Sequence, residues 1–194
     1  MNDRADTPDP PPETPGNEGD GPESPLWRFA LALYSIPAVS AACLSLQDST
    51  GVDVNLLLVC CWTGRHGAYL PKEQIASLDR LVSPWRAEVI DPLRRLRRQL
   101  KTAVGPVLPE RSAAFREAVK KDELQAERIE LDCLFQALDS LPAKNASGAD
   151  RGGVIRSNLL HYLAVLEIDL TADPVRDGIE TLVRETIALD GDAV

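Results

Sequence analysis

The sequence predicts an all-α fold: a single globular multi-helix bundle of about seven helices around a central buried helix at about residues 52–63, with a disordered N-terminal tail. Three observations lead there. Apolar residues recur at intervals of three and four along most of the chain, and no segment shows the strict alternation of a half-buried strand. Ser24-Pro25, Ser83-Pro84 and Asp173-Pro174 each place a capping residue before a proline, the signature of a helix start. The run Leu56 to Trp62 is apolar at seven consecutive positions, so on a helix it presents hydrophobic side chains on every face and belongs inside.

Taken in order, residues 1–23 hold six prolines with glycine and acids and almost nothing apolar, a composition that cannot recover the entropy lost on ordering. The helical domain is expected to occupy 24–190. Its first helix carries Leu26, Trp27, Ala30, Leu33 and Tyr34 near one face and lasts to about Ser35; Ile36-Pro37 restarts a second that ends near Gln47 or Asp48. Thr50 and Asp53 have capping-box spacing, and Asp53 followed by Asn55 offers an alternative start for the central helix. A buried parallel strand also shows a short apolar run, but Leu56 to Leu58 and the capping residues favour helix. After Trp62, TGRHGAYLP reads as a loop.

Pro71 opens a short helix with Ile75, Leu78, Leu81 and Val82 inward, and Ser83-Pro84 starts a longer one. There Trp85, Val89, Leu93, Leu96 and Leu100 step by three and four, with Pro92 kinking or restarting the helix. Residues 110–141 form a further helical tract that buries Phe115, Val119, Leu124, Ile129, Leu131, Leu134, Phe135 and Leu138. The stretch AKNASGADRGG after Pro142 is a loop ended by Gly152-Gly153. Val154 to Ile168 and a helix from Asp173, lined by Val175, Ile179, Leu182, Val183 and Ile187, complete the fold.

The formal charge of −9 is concentrated at one end. Residues 1–23 contain seven acids and Arg4, a net −6, which leaves −3 on the other 171 residues. That near balance favours no class of charged partner. Cys43, Cys60, Cys61 and Cys133 sit in apolar helical patterns and read as buried small hydrophobes in a reducing compartment, here the cytoplasm. No secretory signal is visible at the acidic, proline-rich N-terminus. Phe29 to Leu46 is an uncharged stretch of 18 residues, but its serines, Pro37 and the single flanking Arg28 argue against a membrane span.

Two segments, LWRFALALYSIPAVSAACLSLQDSTGVDVNLLLVCCW at 26–62 and SPWRAEVIDPLRRLRRQLK at 83–101, resemble a family of uncharacterised bacterial proteins catalogued as a domain of unknown function. The first carries the more specific features, a Trp27/Tyr34/Pro37 helix pair followed by Leu46-Gln47-Asp48. The resemblance implies a small, helical, intracellular bacterial protein with no established activity, cofactor or catalytic residue.

Two candidate sites stand out. Gln47, Asp48, Asp53 and Asn55 flank the apolar run and are able to form a polar pocket with Trp85, Arg86 and Arg94 if the long helix crosses the head of the central one. The competing and favoured assignment is that they cap helix ends. Arg94, Arg95, Arg97, Arg98 and Lys101 place five positive charges in eight residues, enough to meet phosphates, although Leu93, Leu96 and Leu100 anchor the opposite face and no aromatic residue interleaves them. His66 and His161 lack companions at metal-ligand spacing, and no metal or cofactor is expected. The leading expectation is a non-enzymatic protein-interaction or regulatory module that binds a protein partner through Trp85 to Lys101, Arg95 and Arg98 included. A small-ligand binder or enzyme using Asp53, Asn55 and Arg94 is the alternative, and nucleic-acid binding by residues 94–101 a weaker one.

Overall fold

A computed structural model of the chain describes residues 23–141 and 150–189. The helices are α1 (Pro25–Tyr34), α2 (Pro37–Thr50), α3 (Val54–Arg65), α4 (Lys72–Trp85), α5 (Asp91–Gln99), α6 (Pro109–Asp139), α7 (Arg151–Val165) and α8 (Asp173–Ala188). A π turn, Arg86–Ile90, joins α4 to α5 without a break. Counting that continuous run once gives seven helices among the described residues, whose only β-type pairing is an isolated bridge between Val104 and Val107. The class is all-α, as the periodicity requires. The expected tail lies outside the described residues up to position 22, and so does most of the expected loop, 142–149.

Helix ends follow local chemistry. The Ser24 hydroxyl accepts the Trp27 N–H at 3.2 Å with Pro25 in the first turn, which fixes the start of α1. Pro37 opens α2, which runs to Thr50 rather than stopping at Gln47 or Asp48. It ends where Gly51 takes a left-handed φ of 74° and donates its N–H to the Gln47 carbonyl at 2.9 Å. A side chain with a Cβ is strained in that conformation, so the stop is set by the glycine.

The chain falls into two compact units, one made of residues up to Ala76 and from Leu141 onward, the other of Ser77–Ser140. In the first, α3 packs on α7, α8, α1 and α2, and α2 also packs on α8. Every α3 residue from Asn55 to Gly64 is buried except Trp62, which is half-buried against Phe29 with ring centroids 5.3 Å apart. The helix extends three residues beyond Trp62 because Gly64 lies under α7: a Cβ there would fall 2.6 Å from the Ile155 Cα. Gly64 thus sets a close helix approach and does not end a helix. Gly152 and Gly153 likewise lie inside α7, whose N-cap is Asp150, accepting the Gly153 N–H at 3.1 Å.

In the second unit α5 and the π turn pack on α6. Arg86 meets Glu130 while Arg97 meets Glu123, so the paired numbers run in opposite directions and the helices are antiparallel. Ser83-Pro84 does not start a helix; Pro84 lies inside α4. Neither Pro84 nor Pro92 has an N–H for the helical ladder, and the wider π turn sits between them. Its extra residue rotates the inward stripe, so that Ile90 is buried while Val89, Trp85, Leu93 and Leu96 are only half-buried. Four residues expected inside are exposed: Leu81, Phe115, Ile129 and Ile187. Cys133 is also exposed, contrary to its reading as a buried hydrophobe. Each lies at the edge of an apolar stripe wider than the surface its helix buries.

No single helix among the described residues is long and apolar enough to cross a membrane, and the uncharged 29–46 stretch is split between α1 and α2, bent by 96°.

Candidate functional site

Gln47, Asp48, Asp53 and Asn55 belong to the first unit, and Trp85, Arg86, Arg94, Arg95 and Arg98 to the second. Asp53 is the N-cap of α3, its carboxylate accepting the Asn55 N–H at 2.8 Å. The capping box with Thr50 does not form: the Thr50 hydroxyl donates to the Leu46 carbonyl at 2.6 Å, inside the last turn of α2. Asp53 also donates its own N–H to the Tyr162 hydroxyl of α7 at 2.8 Å. Gln47 is half-buried and Asp48 exposed on α2.

The same unit holds a buried polar cluster that the sequence did not reveal. Asn158 on α7 is fully buried and serves as a clamp for the segment after α3. Its Oδ1 accepts the Leu70 N–H at 2.9 Å, and its Nδ2 donates to the Ala68 carbonyl at 3.0 Å and the Thr63 hydroxyl oxygen at 3.2 Å. One turn on, His161 Nδ1 meets the Leu70 carbonyl at 2.9 Å, and a carbonyl only accepts, so this nitrogen carries the proton. In the neutral ring Nε2 then accepts from the Tyr69 hydroxyl at 3.2 Å. His66 instead lies tilted against Trp62, centroids 4.0 Å apart and ring planes 46° from parallel. Among the described residues no group of three His, Cys, Asp or Glu side chains is placed to hold a metal ion.

Cys43, Cys60 and Cys61 are buried, and burial pushes all three thiols upward, Cys61 to about 12. Thiols held protonated are poor nucleophiles.

In the second unit the arginines divide. Glu123 is buried on α6 and accepts from Arg94 Nε at 3.2 Å and from Arg97 Nε at 2.5 Å. Arg94 also reaches Glu127 at 2.6 Å and Asp91 at 3.3 Å. Burial lowers the affinity of the Arg94 guanidinium for its proton, but Glu127 and Glu123 together outweigh it and the net shift is upward. For Arg97 the hydrogen bond to Glu123 dominates and raises it. Arg86 bonds Asp79 at 2.6 Å and lies 3.8 Å from Glu130, which is 1% exposed. Trp85 donates its indole N–H to the Ala126 carbonyl at 3.0 Å. Arg95 and Arg98 remain exposed on the outer side of α5. Glu123, Glu127 and Glu130 stand at i, i+4 and i+7 on one face of α6, a spacing by which the sequence could have marked a counter-surface for the arginines.

Chemically, these groups cap, clamp and pair, which defines an all-helical protein whose polar residues organise its helices. The chain belongs to the family described as "Protein of unknown function (DUF2390)", whose model matches residues 25–134. That match contains both segments that carry the resemblance and extends it through most of α6. No curated protein and no solved structure matches the chain.

Proposed function

We propose that the chain is a non-enzymatic protein-interaction module that docks an acidic, partly apolar segment of another protein on the outer side of α5 and the turn that follows it. The observation that carries this reading is the division of the arginines. Arg94 and Arg97 face Glu123 and Glu127, while Arg95 and Arg98 are exposed, with Lys101 one turn further and Val104, Val107 and Leu108 exposed beyond it. Cations followed by bare apolar side chains complement a peptide that mixes carboxylates with hydrophobes.

Nucleic acid fits less well. Arg94 and Arg97 are already bonded to Glu123, and each phosphate left without a cation removes about 0.9 from the slope of affinity against salt. Asp53 and Asn55 supply a helix cap, which supports architecture over a ligand pocket at that end. Four unpaired cysteines suit the cytoplasm.

Arg95→Glu with Arg98→Glu tests the reading. The full chain, used as bait in its native extract, should retain a protein partner after nuclease treatment, and the double variant should lose it while its helical circular dichroism is unchanged. Retention by the double variant, or loss on nuclease treatment, rejects the reading.

A further inference from the structure

One flank of α6, roughly a quarter-turn round from the side that holds Val119, Glu123 and Glu130, carries a line of exposed side chains. Phe115, Ala118, Asp122, Gln125, Ile129 and Cys133 follow one another at steps of three and four, and all six are exposed. Phe115 is 56% exposed and Ile129 39%, which on a helix interior is a large apolar investment with no intramolecular return. Steps of three and four place the six side chains in one line about 30 Å long, as in a two-helix coiled coil.

The geometry points to a second copy of this chain as the occupant, and we propose that two α6 helices pack antiparallel about the Asp122–Gln125 turn. In that register the side chains complement one another by size and polarity. Ala118 of one copy lies opposite Ile129 of the other, small against large. Asp122 lies opposite Gln125, where the amide N–H donates to the carboxylate. Phe115 lies against Cys133, a pairing of aromatic ring and sulfur. The two-fold axis repeats each pair, so one stripe satisfies itself.

Other registers are poorer. A parallel pair sets Asp122 against Asp122 and Arg111 against Arg111, and a three-residue slip of the antiparallel pair also brings the two Asp122 carboxylates together on the axis. The polar centre therefore selects the alignment, while the apolar layers on either side supply the attraction.

Sedimentation of the reduced full-length chain from low to several hundred micromolar should show a monomer–dimer equilibrium that Ile129→Asp abolishes. Because Ile129 is on the surface, that variant should keep its helical circular dichroism. Phe115→Cys under copper-phenanthroline oxidation should yield a covalent dimer through Cys133 of the second copy, and adding Cys133→Ser should remove it. A monomer throughout the concentration range overturns the proposal. So does a covalent dimer that survives Cys133→Ser, since that would place the two 115 positions side by side in a parallel pair.

Discussion

Asp53 joins two kinds of restraint in one residue. Its carboxylate holds the first turn of α3 through the Asn55 N–H, and its backbone N–H is held by Tyr162, a fully buried residue of α7. Removing the carboxylate breaks the first and leaves the second. Asp53→Ala should therefore destabilise the protein by about 1 kcal/mol, the usual worth of an N-cap, and Asp53→Asn, which retains an acceptor, by only a few tenths. Equilibrium urea denaturation separates the two, and equal losses for both variants would mean that the negative charge is what matters. The sequence offered two starts for this helix, and the choice between them turned on Gly51: its left-handed φ ends α2 late enough to absorb Thr50. Asn158 was not legible at all. A lone amide in a helical pattern shows nothing of its partners, and these, Ala68 and Leu70, lie some ninety residues away in sequence.

At the scale of helices, α5 and α6 are held by ion pairs as much as by apolar contact, since no α5 residue from Asp91 to Gln99 is fully buried. Glu123 is the hinge of that arrangement, with two guanidinium groups bonded to one buried carboxylate. Glu123→Gln keeps the shape and leaves Arg94 and Arg97 without their shared counter-charge. Breaking a buried pair from one side costs about 3–5 kcal/mol, and with the arginines 18% exposed a loss of about 2–3 kcal/mol is expected. A loss below about 0.5 kcal/mol in urea denaturation would put the contact among ordinary surface pairs. The amphipathic stripe of this region was readable, but its phase was not. The pattern places a helix start at Pro84, whereas the chain keeps its helix through that proline and inserts a π turn before Pro92, which moves burial from Val89 to Ile90. Backbone ladders that widen to tolerate missing donors leave no mark in hydrophobic periodicity.

For the molecule as a whole, the helical class and the order of helices were legible because caps, prolines and apolar spacing agree at most boundaries, the condition under which local signals specify a fold. Burial at stripe edges was not, because it depends on which neighbour arrives. Cys133 shows this most simply: its helical pattern resembles that of Cys43, Cys60 and Cys61, yet it alone is exposed. The difference governs how the whole fold responds to alkali. In the folded chain the three buried thiols hold their protons well above the ordinary value of 9.0, Cys61 to about 12, chiefly through burial. Below pH 9 folded and unfolded chains carry the same protons at these sites, and their contribution to stability is fully present. As pH rises past 9 the unfolded chain ionises and the folded chain does not, so stability falls through the window toward 12 and beyond. Each thiol contributes a slope that approaches about 1.4 kcal/mol per pH unit, or about 4 kcal/mol per unit for the three, from about pH 10 upward, where the unfolded state is almost fully ionised. Lysines and tyrosines titrate in the same range, so the diagnostic quantity is a difference in slope. Cys60→Ala should lower the pH 8–11 dependence of urea stability by one thiol's share, while Cys133→Ala leaves it unchanged. The cavity left by Cys60→Ala shifts every point equally and cancels. An unaltered slope in Cys60→Ala would show that the thiol ionises within the folded chain, and hence that α3 opens to water without global unfolding.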